Sequence, residues 1–259
     1  MLKDKVAVVT GSVRGIGRGI ALKLADQHAK LVIDDKDASL LDETVRLIEE
    51  RGGIATGIVA DISKKADAGR IMNTAAEKFG RLDILVNNAG IFQGALVEDM
   101  SEEQWDRVID VDLKGAFLCT QAAIPYMRRI KYGRVINISS ADAIIGGVGM
   151  VNYAAAKAGI FGLTASVAKE FSRWVKTEGC TMTCNCVIVG YNRTPLVEED
   201  FPDEIREFYP GEIPLGRLSD PEEDVGSVVA FLASEKAGYL TGAKLPVNGG
   251  LHVSIAAYG

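Results

Sequence analysis

Short apolar runs alternate along the chain with longer amphipathic stretches. The runs Val6–Thr10, Lys30–Asp34, Ile54–Ala60, Asp83–Asn87, Arg134–Ser139, Thr181–Ile188 and Lys244–Val247 are nearly continuous in apolar and β-branched residues, as expected of parallel strands buried on both faces. Helical periodicity covers Gly15–Gln27, Leu40–Arg51, Lys64–Phe79, Glu102–Met127, Tyr153–Lys176 and Glu222–Ala233. Ser63 and Ser101 read as helix start signals, and Pro221 after Asp220 fits a first helical position. Regular alternation of this kind predicts right-handed crossovers and an α/β fold: a doubly wound, mostly parallel seven-stranded sheet with helices on both faces. The stretch from Gly190 to Leu218 breaks the rhythm with Pro195, Pro202, Pro210 and Pro214 and a short amphipathic piece, Asp203–Tyr209. A long excursion between strand and helix reads as a lid or binding loop. No repeat or low-complexity linker divides the rest, so the expectation is one domain over 1–259 with a substrate lid at about 190–218.

Composition narrows the function. The chain has 259 residues, enough to bury roughly three quarters of its unfolded surface without a disulfide or metal staple. Its 35 acidic and 29 basic side chains give a net charge of −6, which argues against nucleic acid as a partner. No run approaches ~18 apolar residues, so no membrane-spanning helix is expected. Met1–Lys5 leads directly into the first strand-like run with no cleavable leader, so a cytoplasmic protein is expected. Cys119, Cys180, Cys184 and Cys186 are too few for a disulfide framework. Cys184 and Cys186 share a strand face but lack the spacing and companion ligands of a zinc site, so reduced, packed thiols and no metal are expected. With only His28 and His252 available, most histidine-dependent nucleophilic schemes drop out.

The first run ends in Thr10-Gly11-Ser12-Val13-Arg14-Gly15-Ile16-Gly17 and opens a helix. Gly11 permits a tight turn, Gly15 lets backbone approach a pyrophosphate, and Gly17 allows the helix to pack closely on the strand. The helix N-terminus then offers N–H groups to the phosphates. This is the dinucleotide-binding turn of a Rossmann-type three-layer sandwich. At the end of the second run, Asp35 is placed to bind a ribose 2′-hydroxyl and to repel a 2′-phosphate, which favours NAD over NADP. Arg14 and Lys36 are within reach of such a phosphate and keep NADP open.

Taken with Asp61, Asn87-Asn88-Ala89-Gly90, Ser140 and Tyr153-x-x-x-Lys157, the chain resembles the short-chain dehydrogenase/reductase family over nearly its whole length. The resemblance implies that Asp61 and Ile62 contact adenine and that Asn87 supports strand geometry. It implies too that Asn88, Ala89 and Gly90 line the nucleotide channel beside Val189, and that Thr194 meets the nicotinamide carboxamide. The proton chemistry is also legible from spacing. Tyr153 and Lys157 share a helix face; an unperturbed phenol at pKa ~10 is a poor base, and a neighbouring ammonium favours its ionised form. Tyr153 is therefore the expected general acid/base and, with Lys157, lies against the cofactor. Ser140, thirteen residues before Tyr153, is expected to hold the reacting oxygen, and Ser139, facing the other way, to be structural.

Three departures from the family stand out. Asp112-Leu113-Lys114-Gly115 occupies the place of an Asn-x-x-Gly segment whose asparagine holds a water beside the lysine. Asp112 adds negative charge there, and an alkaline optimum for oxidation is expected. Val189-Gly190 replaces a common Pro-Gly, and Trp174–Thr183 is longer than usual. Asp142, Ile144, Ile145, Val148, Met150 and Tyr191 are expected to line a substrate pocket, with Asp142 available to a hydroxyl or amine. Phe201, Phe208 and Tyr209 are expected on the lid.

The leading expectation is an NAD-linked dehydrogenase or ketoreductase for a small secondary alcohol or ketone. A 3-oxoacyl-(acyl-carrier-protein) reductase using NADPH is the alternative, with Arg128, Arg129, Lys131, Arg173 and Lys176 as a docking face. A non-catalytic nucleotide-sensing or scaffold protein is the alternative of another class. The resemblance implies a homodimer or homotetramer through Glu102–Met127 and Tyr153–Lys176, and the apolar tail Leu251–Tyr258 fits an interface.

Overall fold

The computed structural model describes residues 1–194 and 210–253. Seven strands form one sheet: β1 (Val6–Val9), β2 (Lys30–Asp35), β3 (Ile54–Val59), β4 (Ile84–Asn87), β5 (Tyr132–Ser140), β6 (Thr181–Val189) and β7 (Lys244–Val247). They lie in the order β3-β2-β1-β4-β5-β6-β7, and every neighbouring pair is parallel. The chain winds outward from β1 in one direction and from β4 in the other. Adjacent connections therefore leave on opposite faces between β1 and β4, and a crevice opens above their C-terminal ends.

Successive strand residues feed two separate cores, as the two-residue period of a strand requires. Ala7, Val9, Leu31, Ile33, Ile84 and Val86 pack under α1 (Gly15–Asp26) and α2 (Ala38–Glu50), together with a C-terminal helix at Ser227–Ala233. Val6, Val8, Val32, Leu85, Val135 and Met182 pack under α3 (Lys65–Phe79), a helix at Ala116–Arg129, and a long helix at Val151–Glu178. In chain order, Glu102–Ile109 is α4, Ala116–Arg129 α5, the short Asp142–Ile145 α6, Val151–Glu178 α7 and Ser227–Ala233 α8.

All seven expected runs are strands, and their ends agree within two residues. Burial on both faces fails at the sheet edges: Ile54 and Val59 of β3 are about half exposed, and β7 alternates between exposed and half-buried positions. The helix expected over Glu102–Met127 is α4 and α5 joined by a π-helical turn, Asp110–Gly115. Another π-helical turn, Pro221–Gly226, opens the expected Glu222–Ala233 helix. Ser101 caps α4 in a full capping box, and Asp220 caps the turn that begins with Pro221. Ser63 caps nothing. Its hydroxyl donates to Asp61 at 2.6 Å, and α3 begins after Lys64 without a side-chain cap, because the nearer carboxylate is the stronger acceptor. Among the described residues, no helix is long and apolar enough to cross a membrane.

Candidate active site

The turn after β1 is built from backbone. Thr10 Oγ accepts the N–H groups of Asn88 and Ala89 at 3.0 and 3.1 Å, and the Asn88 amide donates to the carbonyls of Thr10 and Gly11. Asn88 thus ties the end of β4 to the turn through its whole amide group. Gly11 sits at φ +59°, where a Cβ would lie 2.7 Å from Ala89 Cα; a Cβ on Gly17 would lie 2.1 Å from the Gly11 carbonyl oxygen. These two positions admit only glycine. Arg14 precedes α1 in extended backbone and offers no side-chain cap. The first-turn N–H groups at Gly15, Ile16 and Gly17 therefore face the crevice without a capping side chain, the donor arrangement a pyrophosphate needs. Thr194 lies beside Gly15.

Asp35 is half-exposed at the end of β2, and one of its oxygens accepts the Asp37 N–H at 3.1 Å. Lys36 turns away from it to pair with Asp61 at 2.9 Å. Burial works against the charge of Asp61, but Ser63 and Lys36 outweigh it and hold the carboxyl below its ordinary range. Arg14 is exposed, and its charge helps lower the pKa of Asp37. Ile62 is buried against Gly115 of the π-helical turn. Asp34 is a residue that sequence reasoning missed. It is 2 % exposed, and its Oδ1 has no hydrogen-bond partner among the described residues. Burial first, then the charge of Asp35, pushes its pKa well above the ordinary value, while the Gly11 backbone opposes this. Strand alternation held the signal: of two adjacent aspartates, only one can face the crevice.

On the far side of the crevice, Ser140 ends β5 in register with Val189 of β6, and α7 presents Tyr153 and Lys157 on one face. Lys157 Nζ lies 5.5 Å from the Tyr153 ring centroid and donates to the Ile138 carbonyl at 3.4 Å. It also forms a buried ion pair with Asp112 Oδ2 at 3.2 Å. The π-helical turn places Asp112, whose other oxygen accepts the Ile91 N–H at 2.8 Å. Gly90 lies directly above this pair: a Cβ there would come within 2.7 Å of Asp112 Oδ2 and 3.0 Å of Lys157 Nζ. Ser139 donates to the Lys157 carbonyl at 2.8 Å and so fixes α7 against β5. Asn152, also missed by sequence reasoning, donates to the carbonyls of Gln93 and Gln104 and accepts the Tyr153 N–H. Phe92 meets the Tyr153 ring edge-on at 6.0 Å.

The electrostatic balance differs from the expectation drawn from spacing. Burial raises the Tyr153 pKa, Lys157 lowers it, Asp112 raises it again, and neighbouring Ser140 favours the ionised form. In the protein alone the net direction is upward, because burial outweighs the Lys157 ammonium and the Asp112 carboxylate adds to the rise. Burial disfavours the Lys157 charge, but Asp112 outweighs it and holds the ammonium above its ordinary pKa.

Ser140, Tyr153, Lys157, Asp112, Gly90 and Asp142 come together, and the glycine turn with Asn88 and Ala89 adjoins them. Ser140 donates to Asp142 at 2.8 Å. Tyr191 lies elsewhere, in a pocket with Ile213, Pro214, Leu215 and Asn248 that Ser140, Tyr153 and Lys157 do not line. Phe201, Phe208, Tyr209, the Asp203–Tyr209 piece and most of the Leu251–Tyr258 tail lie outside the described residues. All four cysteines are free and buried, with burial pushing Cys186 up to about 12. Among the described residues, no cluster of three or more His, Cys, Asp or Glu could hold a metal.

Residues 11–252 match the family model described as enoyl-(acyl carrier protein) reductase. The chain is 40% identical to the (2S)-[(R)-hydroxy(phenyl)methyl]succinyl-CoA dehydrogenase subunit BbsD of Thauera aromatica, over 96% of this chain and 97% of that one. It is 39% identical to the 3-oxoacyl-(acyl-carrier-protein) reductase FabG of Thermotoga maritima, over 96% and 98%. A (3R)-3-hydroxyacyl-CoA dehydrogenase of Mus musculus is 40% identical over 96% and 97%. A solved structure described as a short-chain alcohol dehydrogenase, from Sinorhizobium meliloti, superposes with a TM-score of 0.90 at 35% identity and 98% coverage of both chains.

Proposed function

The chain belongs to the short-chain dehydrogenase/reductase family of oxidoreductases, and on that premise we propose that it transfers a hydride between NAD(H) and a secondary alcohol or ketone. One observation carries the reading: Ser140, Tyr153 and Lys157 converge at the C-terminal end of β5, with Gly90 and Ala89 linking them to the glycine turn. Such a nicotinamide group, when bound, supplies the hydride acceptor or donor and, oxidised, a positive charge beside the phenol.

The protein's part is position and proton transfer. Tyr153 takes the hydroxyl proton in oxidation and returns it to the carbonyl oxygen in reduction. Lys157 favours the phenolate, and Ser140 orients the reacting oxygen. The backbone at Gly11, Gly15, Ile16 and Gly17 holds the pyrophosphate, with Asn88 and Ala89 fixing its shape. Asp61 and Ile62 border the adenine, and Val189 and Thr194 border the nicotinamide. Asp35, with no cation paired to it among the described residues, favours a ribose hydroxyl, hence NAD. Arg14 remains near enough to the turn to serve NADP. Asp142 lies beside the substrate oxygen, whereas Tyr191 lines a separate pocket and is left out of the substrate contacts. Assembly as a dimer or tetramer uses the outer faces of α4, α5 and α7, where Trp105, Phe117 and Val175 are exposed. A cytoplasmic location follows the same reading.

The test is a panel of secondary alcohols, ketones and 3-hydroxyacyl and 3-oxoacyl thioesters, run with both cofactors and followed by the absorbance of reduced nicotinamide. Turnover with NAD(H), lost in Tyr153→Phe, is expected. Binding of reduced dinucleotide without turnover of any substrate overturns the enzyme reading in favour of a nucleotide sensor or scaffold.

Reduction of a 3-oxoacyl group on a carrier protein is a second reading, favoured by the similarity to the Thermotoga maritima reductase. Two features count against it. Arg128 in the candidate docking face is paired with Glu178 and stacked on Trp174, and Asp35 opposes NADPH. Preference for NADPH in the same panel decides for it.

A further inference from the structure

Ser140 has a single hydrogen to give, and Asp142 competes for it with the Tyr153 oxygen at the reacting centre. Oγ donates to Asp142 Oδ2 at 2.8 Å, and the Asp142 N–H donates back to the same oxygen at 3.2 Å. Chain geometry closes this ring, because β5 ends at Ser140 and α6 begins at Asp142. Asp142 is half-buried, and among the described residues Ser140 is the side chain that stabilises its charge. Among the described residues, the ionisable group that feels its charge is Tyr153 on α7, and β5 contributes uncharged Ser140.

We propose that Asp142 is a positioning residue that sets the direction of the Ser140 hydrogen. Ionised, its carboxylate captures that hydrogen. Protonated, it donates to Ser140 Oγ and frees the hydrogen for the substrate oxygen. This rests on the reading that Ser140 and Tyr153 handle the reacting oxygen.

The argument is one of counting. A carbonyl oxygen carries no hydrogen, so Ser140 polarises it only by donating. A carboxylate competes for that hydrogen with a charge-assisted bond about twice as strong as a neutral one. Ionised Asp142 also adds negative charge near Tyr153, whose pKa it raises. Ionisation therefore opposes the phenolate and the developing oxyanion by two routes, and protonation reverses both. Oδ2 then carries the added proton and donates it to Oγ, and the Oγ–H bond rotates toward the substrate without breaking. Burial holds the Asp142 pKa above the ordinary carboxylate range, so the exchange falls at correspondingly higher pH.

The experiment measures kcat/KM for ketone reduction against pH in the wild type, Asp142→Asn, Ser140→Ala and the double variant, with single-turnover kinetics for the slow ones. Wild-type activity should fall as pH rises through the titration of Asp142. Asp142→Asn, whose amide donates to Oγ at every pH, should lack that fall and exceed the wild type about 3–10-fold above it, a gain of order one donor hydrogen bond. In the Ser140→Ala background, Asp142→Asn should keep only the smaller gain that comes from removing negative charge near Tyr153. Parallel pH profiles overturn the proposal, as does an effect of Asp142→Asn that is undiminished by loss of Ser140, which would mean that Asp142 does not act through that hydroxyl. Reduced-dinucleotide fluorescence checks folding; should Asp142→Asn fail to fold, Asp142→Ser carries the same expectations, because it also removes the charge. A wild type that reduces no ketone refutes the enzyme reading itself, whereas an active wild type with profiles unaltered by the substitution refutes only this inference.

Discussion

The glycine turn and the floor of the catalytic crevice each bury a carboxylate, and they hold it in opposite ways. Asp34, beneath the turn, takes a backbone hydrogen bond from Gly11, and among the described residues no cation is paired with it. Asp112, in the floor, accepts a backbone N–H and faces the Lys157 ammonium at 3.2 Å. The turn takes its shape from glycine sterics and main-chain hydrogen bonds, so the Asp34 charge is incidental to it. In the floor, Asp112, Lys157, Tyr153, Ser140 and Asp142 form one coupled set, and a change at any member moves the others. Geometry dominates the first region and charge the second.

Substitutions separate the two. The largest expected effect is in the floor: Tyr153→Phe should lower kcat about 10²–10⁴-fold in both directions, the range for losing a general acid/base, while reduced-dinucleotide fluorescence still reports binding. Loss of binding instead would make the two regions a single unit. Next is the turn. Gly17→Ala drives a methyl into the Gly11 carbonyl oxygen and the Asn88 amide and should cost about 1–3 kcal/mol of stability by overpacking, together with dinucleotide affinity. Gly69→Ala, where a Cβ meets nothing within 4 Å inside α3, should be neutral or stabilise by up to about 1 kcal/mol. Urea unfolding and cofactor titration of both variants check this.

Asp112→Asn tests the coupling. Without the carboxylate, the Lys157 ammonium acts on the phenol unopposed, the Tyr153 pKa falls, and the rising limb of the oxidation profile should move toward lower pH. An unmoved limb would mean that the floor is as indifferent to charge as the turn. Asp34→Asn should have the smallest effect, and a favourable one. A raised acid pKa means that the folded chain binds the proton more tightly than the unfolded chain. The ionised form of Asp34 therefore costs stability, and that cost appears as pH rises from the ordinary carboxylate range toward the folded-state pKa. Asp34→Asn should raise the melting temperature at neutral pH, with a gain that disappears in acid.

Periodicity located all seven strands, because a strand buried on both faces needs an unbroken apolar run. It failed at β3 and β7, where burial depends on having no neighbour on one side. Position in the sheet is a long-range property that no local window contains. The helix pattern over Glu102–Met127 also hid its π-helical turn, since one extra residue in a helical turn barely disturbs a periodicity of 3.6. That turn carries Asp112 to Lys157. The residues of the site were legible, but one electrostatic inference from them was reversed. An ammonium one helical turn from a phenol predicts a lowered pKa, yet Tyr153 is raised overall by its burial and by an aspartate some forty residues away in sequence.

What the sequence determined by itself was therefore the set of elements and the glycine turn, which follow from local spacing and steric rules. The Ser140, Tyr153 and Lys157 group rests on helix spacing together with a family resemblance. Tertiary structure alone decided the protonation balance: which carboxylate meets Lys157, which of Asp34 and Asp35 is buried, and which groups compete for the Ser140 hydroxyl. Pair energies between charges depend on distance and on exclusion of water, and both are fixed only when separate segments of the chain pack together.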